Sequence, residues 1–310
     1  MAESTNTGSP AQNDALPQDA AAPKDELTDQ EIMALTQQIK EDEAKKSPLV
    51  GEIIDLSQLQ AEYEGGQSDQ IFVAKFRYLS TQGYELLRKL RGDGDCFYRA
   101  FAFAWLEEIA TQGGTLAAQA LSLIELQLPL LEAAGYDSEI VQDFYEPLRT
   151  MLEKLATSKS ESHEAYLLER FNDAETSNST VVFLRLIASA FLRSNADEFL
   201  AFLFAYEDDA RLLDESGMPT MHNFCQLYIE PTQKEVDHLG IVAVTRALRT
   251  SLKIADLDRS LVGAQSGDTQ TAQVNFHDFD GSNGSEQAMI EFHTNTLLLR
   301  PGHYDLIRKT

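Results

Sequence analysis

Between residues 97 and 192 the apolar positions of this chain recur at intervals of three and four, whereas beyond residue 250 they tend to alternate. The first period returns side chains to one face of a helix, and the second belongs to a strand. Phe97, Ala100, Phe101, Ala104 and Trp105 form one wide apolar stripe, which predicts a buried helix starting at or beside Cys96. Helical spacing over 116–131, 140–155 and 181–192 predicts further helices, the last with Asn178, Ser179 or Thr180 as its cap. Ile241, Val242, Val244, Ala247 and Leu248 mark one more. Strands are expected at 251–256, with Leu252 and Ile254 on one face, and at 273–279 and 296–300. Pro301-Gly302 then joins the last strand to 303–308. Helices come first and sheet last, an α+β arrangement.

The N-terminal part is different. Residues 1–26 are rich in Ala, Pro, Gln, Ser, Thr and Asp, and are expected to be a disordered acidic tail. Thr28 with Glu31 forms a capping box, after which Ile32, Leu35 and Ile39 recur at helical spacing. Ser57 with Gln60 forms a second box whose helical turn ends at Gly65-Gly66. Residues 27–66 thus read as a helical arm before a main domain at 67–310. The apolar stripe of the arm suits either a partner or the chain's own domain.

Composition narrows the classes. Hydrophobic residues make up 43% and charged residues 24% of 310, the balance of a chain that buries a core. No apolar run of spanning length and no leader-like N-terminus is evident, so no membrane partner is expected and the cytosol is the expected compartment, with the nucleus as an alternative. Asp and Glu number 50 against 25 Lys and Arg, a formal charge of -25 that disfavours nucleic acid and favours basic partners, or serves only solubility. Cys96 and Cys225 are the only cysteines, in dissimilar surroundings, so neither a disulfide framework nor a zinc site is expected. His163, His222, His277 and His293 lack metal-ligand spacing, and the segment 278–284 lacks the glycine placement of a calcium loop, so no cofactor or metal is expected.

Two places carry chemistry. Arg91-Gly92-Asp93-Gly94-Asp95 is a sharp glycine-broken loop that ends at Cys96, where a helix begins. Backbone N–H groups and the positive end of a helix beside a sulfur favour the nucleophilic thiolate, and the same groups can bind an oxyanion. By itself, such a cysteine also reads as a small core residue. At the other end, His303 follows a tight turn and Asp305 lies two residues on, so in a strand both side chains share a face and the carboxylate can orient the ring. Nucleophile, base and acid are then all available. Asp237-His238 suits electrostatic contact with a partner or, more simply, a helix cap.

Asp93-Gly94-Asp95-Cys96-Phe97-Tyr98-Arg99-Ala100, followed by Arg300-Pro301-Gly302-His303-Tyr304-Asp305, resembles the otubain family of deubiquitinases. Phe224-Cys225-Gln226, Glu230-Pro231, Asp237-His238 and the helix at 243–248 follow in the family's order, so the resemblance covers 70–310. It implies a papain-like cysteine protease fold of ovarian-tumour type, a helical subdomain packed on a small, mainly antiparallel sheet. It further implies Cys96 as nucleophile, His303 as general base, Asp305 as its orienting partner and Asp93 as an acid shaping the oxyanion loop. The implied reaction is hydrolysis after the C-terminal glycine of ubiquitin, first in the polyubiquitin linkage that marks proteins for the proteasome. Longer otubains carry an N-terminal arm and also bind ubiquitin-conjugating enzymes, so non-catalytic inhibition of such an enzyme is one alternative. Hydrolysis of a ubiquitin-like modifier is another. Asp95 departs from the Asn common in otubains, and a second carboxylate there is expected to repel the thiolate.

Overall fold

The computed structural model describes residues 46–64, 70–157, 163–206, 209–262, 272–284 and 286–310. The expected tail over 1–26 and the stripe of Ile32, Leu35 and Ile39 lie outside these described residues. From the N-terminal side, β1 (Val50–Asp55) runs into α1 (Leu56–Glu62), followed by α2 (Gln70–Thr81) and β2 (Tyr84–Leu90). A helical section follows: α3 (Cys96–Gln112), α4 (Gly114–Glu125), α5 (Leu128–Ala133), α6 (Ser138–Thr157), α7 (His163–Asn172), α8 (Ala174–Ser194) and α9 (Ala196–Leu203). The short α10 (Met221–Phe224) continues into one π-helical turn, Cys225–Ile229, and α11 (His238–Ala247) leads to β3 (Thr250–Asp256). The chain closes with β4 (Asn275–Phe279), β5 (Ile290–Glu291), β6 (Asn295–Arg300) and β7 (His303–Lys309).

The strands order as β1-β2-β7-β6-β3-β4, with β5 beside β3. Among the described residues, only the β3 pairings with β5 and β6 are parallel, and the other four strand pairings are antiparallel. Alternation along the strands sends Leu297 and Leu306 into the larger core around α3, α8 and α11, and their neighbours Leu298 and Ile307 into a second core under α1 and α2. Both faces of the sheet are therefore covered, which is what fixes its register. At the centre of the larger core, α3 buries Phe97, Phe101, Phe103 and Trp105, each worth about 2 kcal/mol of apolar transfer.

Several expectations need correction. The sheet does not come only last: β1, inside the expected helical arm 27–66, and β2 precede the helical section that starts at Cys96 yet form one edge and the strand beside β7. The pattern hid β2 because it places a charged residue, Arg88, at a buried position, where it is held by the Gly51 carbonyl, Glu164 and Glu107, and hid β1 because its buried residues are adjacent. Ser57 is not a cap: β1 passes directly into α1, leaving Asp55 at the cap position without a side-chain bond. Nor do Asn178, Ser179 or Thr180 cap α8, which starts earlier with Asp173 accepting from the Thr176 N–H at 2.9 Å. By length and mean hydropathy, 1.2, residues 114–133 meet the criterion for a membrane span. That stretch is divided between α4 and α5, and Leu116, Ala117, Ala120, Leu123, Ile124 and Leu131 point into the core.

Candidate active site

The cysteine stands at the first residue of α3, 3% exposed, with its sulfur facing the start of β7. The Tyr304 N–H donates to Cys96 Sγ at 3.4 Å. As the first helical residue, Cys96 has a backbone N–H with no intrahelical acceptor, which leaves it available to a developing oxyanion.

β7 supplies the rest. Arg300 pairs with His303 across the hairpin, and the two residues between them, Pro301 and Gly302 with φ of 70°, form the turn that a Pro-Gly order favours. His303 Nε2 and Asp305 Oδ1 are 2.9 Å apart. With Nε2 so occupied, Nδ1 is the nitrogen left for the thiol, and it lies on the Gly92 side, where a Cβ would sit 3.3 Å away. Burial lowers the His303 pKa, but hydrogen bonds to Asp305 and Cys96 outweigh it and raise the value to about 9. Asp305 is fully buried; desolvation opposes its charge, yet His303, Arg300 and the Leu90 N–H hold its carboxyl below the usual range. Arg300 Nε donates to Asp305 Oδ2 at 2.8 Å and the Leu90 N–H to Oδ1 at 2.9 Å. The imidazole thus interacts with the thiol and with the carboxylate, the order that nucleophilic catalysis requires.

Asp93 lies on the loop beside them. Its Oδ1 accepts the Asp95 N–H at 3.0 Å and Arg99 Nη1 at 2.8 Å. The buried Arg99 reaches on to Ser177 Oγ at 3.1 Å and Asn178 Oδ1 at 3.2 Å, so Asn178, one of the residues expected to cap α8, accepts from Arg99 instead. Asp95 does not bear unopposed on the sulfur, because Arg185 donates to its Oδ1 at 2.7 Å. Sequence reasoning missed Arg99, Arg185 and Arg300 as parts of the site. The available signal was an arginine inside an apolar helical stripe, at 99 and again at 185.

The remaining candidates stand apart. Asp237 caps α11 through the Leu239 N–H at 2.9 Å and also accepts the Tyr206 hydroxyl. His238 is exposed, its ring 5.4 Å from that of Phe279. Cys225 is buried; desolvation raises its pKa to about 11, as suits a packing residue. Asp280 accepts the Ser282 N–H at 2.9 Å and so closes a turn within the segment that had a calcium-loop composition.

The model of the peptidase C65 otubain family matches residues 42–309. The chain belongs to the otubain family. It is 33% identical over 285 residues to ubiquitin thioesterase OTUB1 of Homo sapiens, covering 91% of this chain and 90% of that one. It is 32% identical over 275 residues to ovarian tumor domain-containing deubiquitinating enzyme 1 of Arabidopsis thaliana, covering 86% and 83%. The solved h/ceOTUB1-ubiquitin aldehyde-UBC13~Ub structure superposes with a TM-score of 0.70 at 29% identity, over 91% of this chain and 98% of that one. The α+β, papain-like expectation therefore holds for this otubain, as does that of a cysteine-type deubiquitinating peptidase.

Proposed function

We propose that this otubain is a deubiquitinase in which Cys96 attacks the carbonyl carbon of the C-terminal glycine of ubiquitin. The reading rests on His303 lying between its two partners, Asp305 at 2.9 Å from Nε2 and the Cys96 thiol, whose sulfur is held at the start of β7 by the Tyr304 N–H. The sulfur forms a bond to carbon, and the negative charge passes to the carbonyl oxygen facing the Cys96 N–H. When the C–N bond breaks, the His303 imidazolium gives its proton to the departing lysine amine. Neutral His303 then takes a proton from water, whose oxygen attacks the thioester, and the thiol leaves with that proton. Asp305 orients the ring, and Asp93 shapes the loop that carries the oxyanion donors. Wild type and Cys96→Ala incubated with linkage-defined diubiquitins test the reading; undiminished cleavage by the alanine variant would overturn it.

For substrate, the resemblance supports the linkage that marks proteins for the proteasome. A panel of all diubiquitin linkages at equal concentration checks this, and faster cleavage of another linkage would replace it. A second activity, inhibition of a ubiquitin-conjugating enzyme, is supported by the neighbouring complexes that contain UBC13~Ub and UBCH5B~Ub. Removing residues 1–46 should then abolish that inhibition while leaving cleavage of a minimal ubiquitin substrate intact. Paired suicide probes of ubiquitin and ubiquitin-like modifiers decide whether the modifier is ubiquitin.

A further inference from the structure

The loop before Cys96 carries Asp93 and Asp95 on either side of Gly94, and each carboxylate meets a different buried arginine. Arg185, in the middle of α8, is the more connected. Its Nε and Nη2 donate to Asp95 Oδ1 at 3.1 and 2.7 Å. Nη2 also reaches the carbonyls of Gly94 at 3.3 Å and Lys234 at 2.6 Å, and Nη1 reaches that of Ile229 at 3.0 Å. The guanidinium carbon lies 4.5 Å from the centre of the Tyr98 ring, two residues beyond the cysteine. Asp95 Oδ1 in turn accepts the Gln233 N–H at 3.0 Å. The Arg185 side chain is fully buried and that of Asp95 is 7% exposed.

We propose that Asp95 and Arg185 are a positioning pair, which locks the Asp93–Asp95 loop onto the 229–234 segment and cancels a carboxylate charge next to the nucleophile. The loop itself has no ladder to hold it. Gly94 adopts φ of 81°, and a Cβ there would lie 2.4 Å from the Gln233 carbonyl, so the two segments touch without spare room. Gln233 is itself held at φ of 57°, a left-handed conformation that a side chain disfavours unless its surroundings impose it. A planar guanidinium spans acceptors on several segments at once; a lysine, with its donors on one nitrogen, cannot. Removing one member of a buried pair strands the other's charge, whereas removing both leaves none.

Other ionisable groups face this neighbourhood. Tyr98 and Arg99 come from α3, Asp93 from the loop, Cys225 from the π-helical turn, Lys234 and Glu235 from the segment before α11, Asp237 from the foot of α11, Asp256 from β3, and His303, Tyr304 and Asp305 from β7. Arg99 is engaged by Asp93, so Arg185 is the cation bonded to Asp95 among the described residues.

The proposal rests on Cys96 being the nucleophile, and its test separates the two. In the full chain, Arg185→Gln, Asp95→Asn and the double variant are compared by two readouts. One is kcat and KM on a fluorogenic ubiquitin amide; the other is the pH dependence of Cys96 alkylation by iodoacetamide, located by mass spectrometry. Arg185→Gln is expected to lower kcat about 100-fold with KM changed less than about threefold, the signature of misplaced reacting groups. It should displace the alkylation profile to higher pH, because Asp95 is left unopposed, and Asp95→Asn should displace it to lower pH. The double variant should return the profile toward wild type and recover roughly tenfold in kcat over Arg185→Gln. Effects that simply multiply, a loss confined to KM, or profiles that move together or not at all would overturn the pair and leave Arg185 a packing residue. Should Arg185→Gln fail to fold by circular dichroism, Asp95→Asn decides alone: an unmoved profile overturns the proposal. If Cys96 of the wild type is alkylated no faster than Cys225, and His303→Ala changes nothing, the nucleophile reading itself fails.

Discussion

The two sides of the cleft are held by different physics. His303 and Asp305 sit on β7 where it pairs with β6, Arg300 opposite His303 and Leu298 opposite Asp305, and β2 flanks the strand from Leu306 onward, so the ladder anchors the stretch that carries both side chains. The Asp93–Asp95 loop has no such ladder. Buried arginines from α3 and α8 clasp its two carboxylates, and the 233–234 backbone presses against its glycine. A strand in mid-sheet positions by local repetition; a loop of this kind positions by long-range charge, and so has further to fall when one partner is removed.

Substitutions on each side test that contrast. Largest should be His303→Ala, which removes the proton carrier and is expected to reduce kcat/KM by roughly 10³- to 10⁴-fold in fluorogenic ubiquitin hydrolysis. On the loop side, Gly94→Ala must force the two segments apart, and about a 100-fold loss of kcat is expected. A Gly94→Ala enzyme of near wild-type kcat would contradict the tight contact. Arg99→Gln leaves Asp93 without its cation and should cost about 3 kcal/mol in urea unfolding.

The strand side has its own pH signature. With a His303 pKa of about 9, kcat/KM should fall as pH rises through that value, since the imidazolium that protonates the leaving amine is lost. Asp305→Asn should move this alkaline limb to lower pH and reduce kcat by roughly 10²-fold. The folded value lies above the unfolded 6.5, so the stability contributed by protonated His303 is fully present below about pH 6.5 and lost as pH rises through about 9. Urea midpoints measured across that window should decline in wild type and less so in His303→Ala. Smallest is Gly302→Ala: φ of 70° makes it unfavourable by about 1 kcal/mol, but the nearest obstacle is the flexible end of Glu235, 3.0 Å away, so kcat should change less than about threefold. Equal losses in Gly94→Ala and Gly302→Ala would erase the difference between loop and strand.

Periodicity and glycine placement, both local properties, determined much of what the chain is. The helix starting at Cys96, the helix after Asp237, the hairpin closed by Pro301-Gly302 and the shared face of His303 and Asp305 were all legible in the sequence, because each follows from which residues neighbour one another along a helix or strand. β2 was not legible, since a buried Arg88 breaks the apolar alternation and its partners Glu107 and Glu164 are distant in the chain, and β1 was not, since its buried residues Val50 and Gly51 are adjacent and do not alternate. For the same reason only the tertiary structure decided the fate of Asp95. In sequence it is a second carboxylate beside the nucleophile, a source of repulsion; in the fold it is one half of an ion pair whose other half lies ninety residues away. A charge's effect depends on the counter-charge and dielectric around it, and those are assembled only when α8 packs against α3.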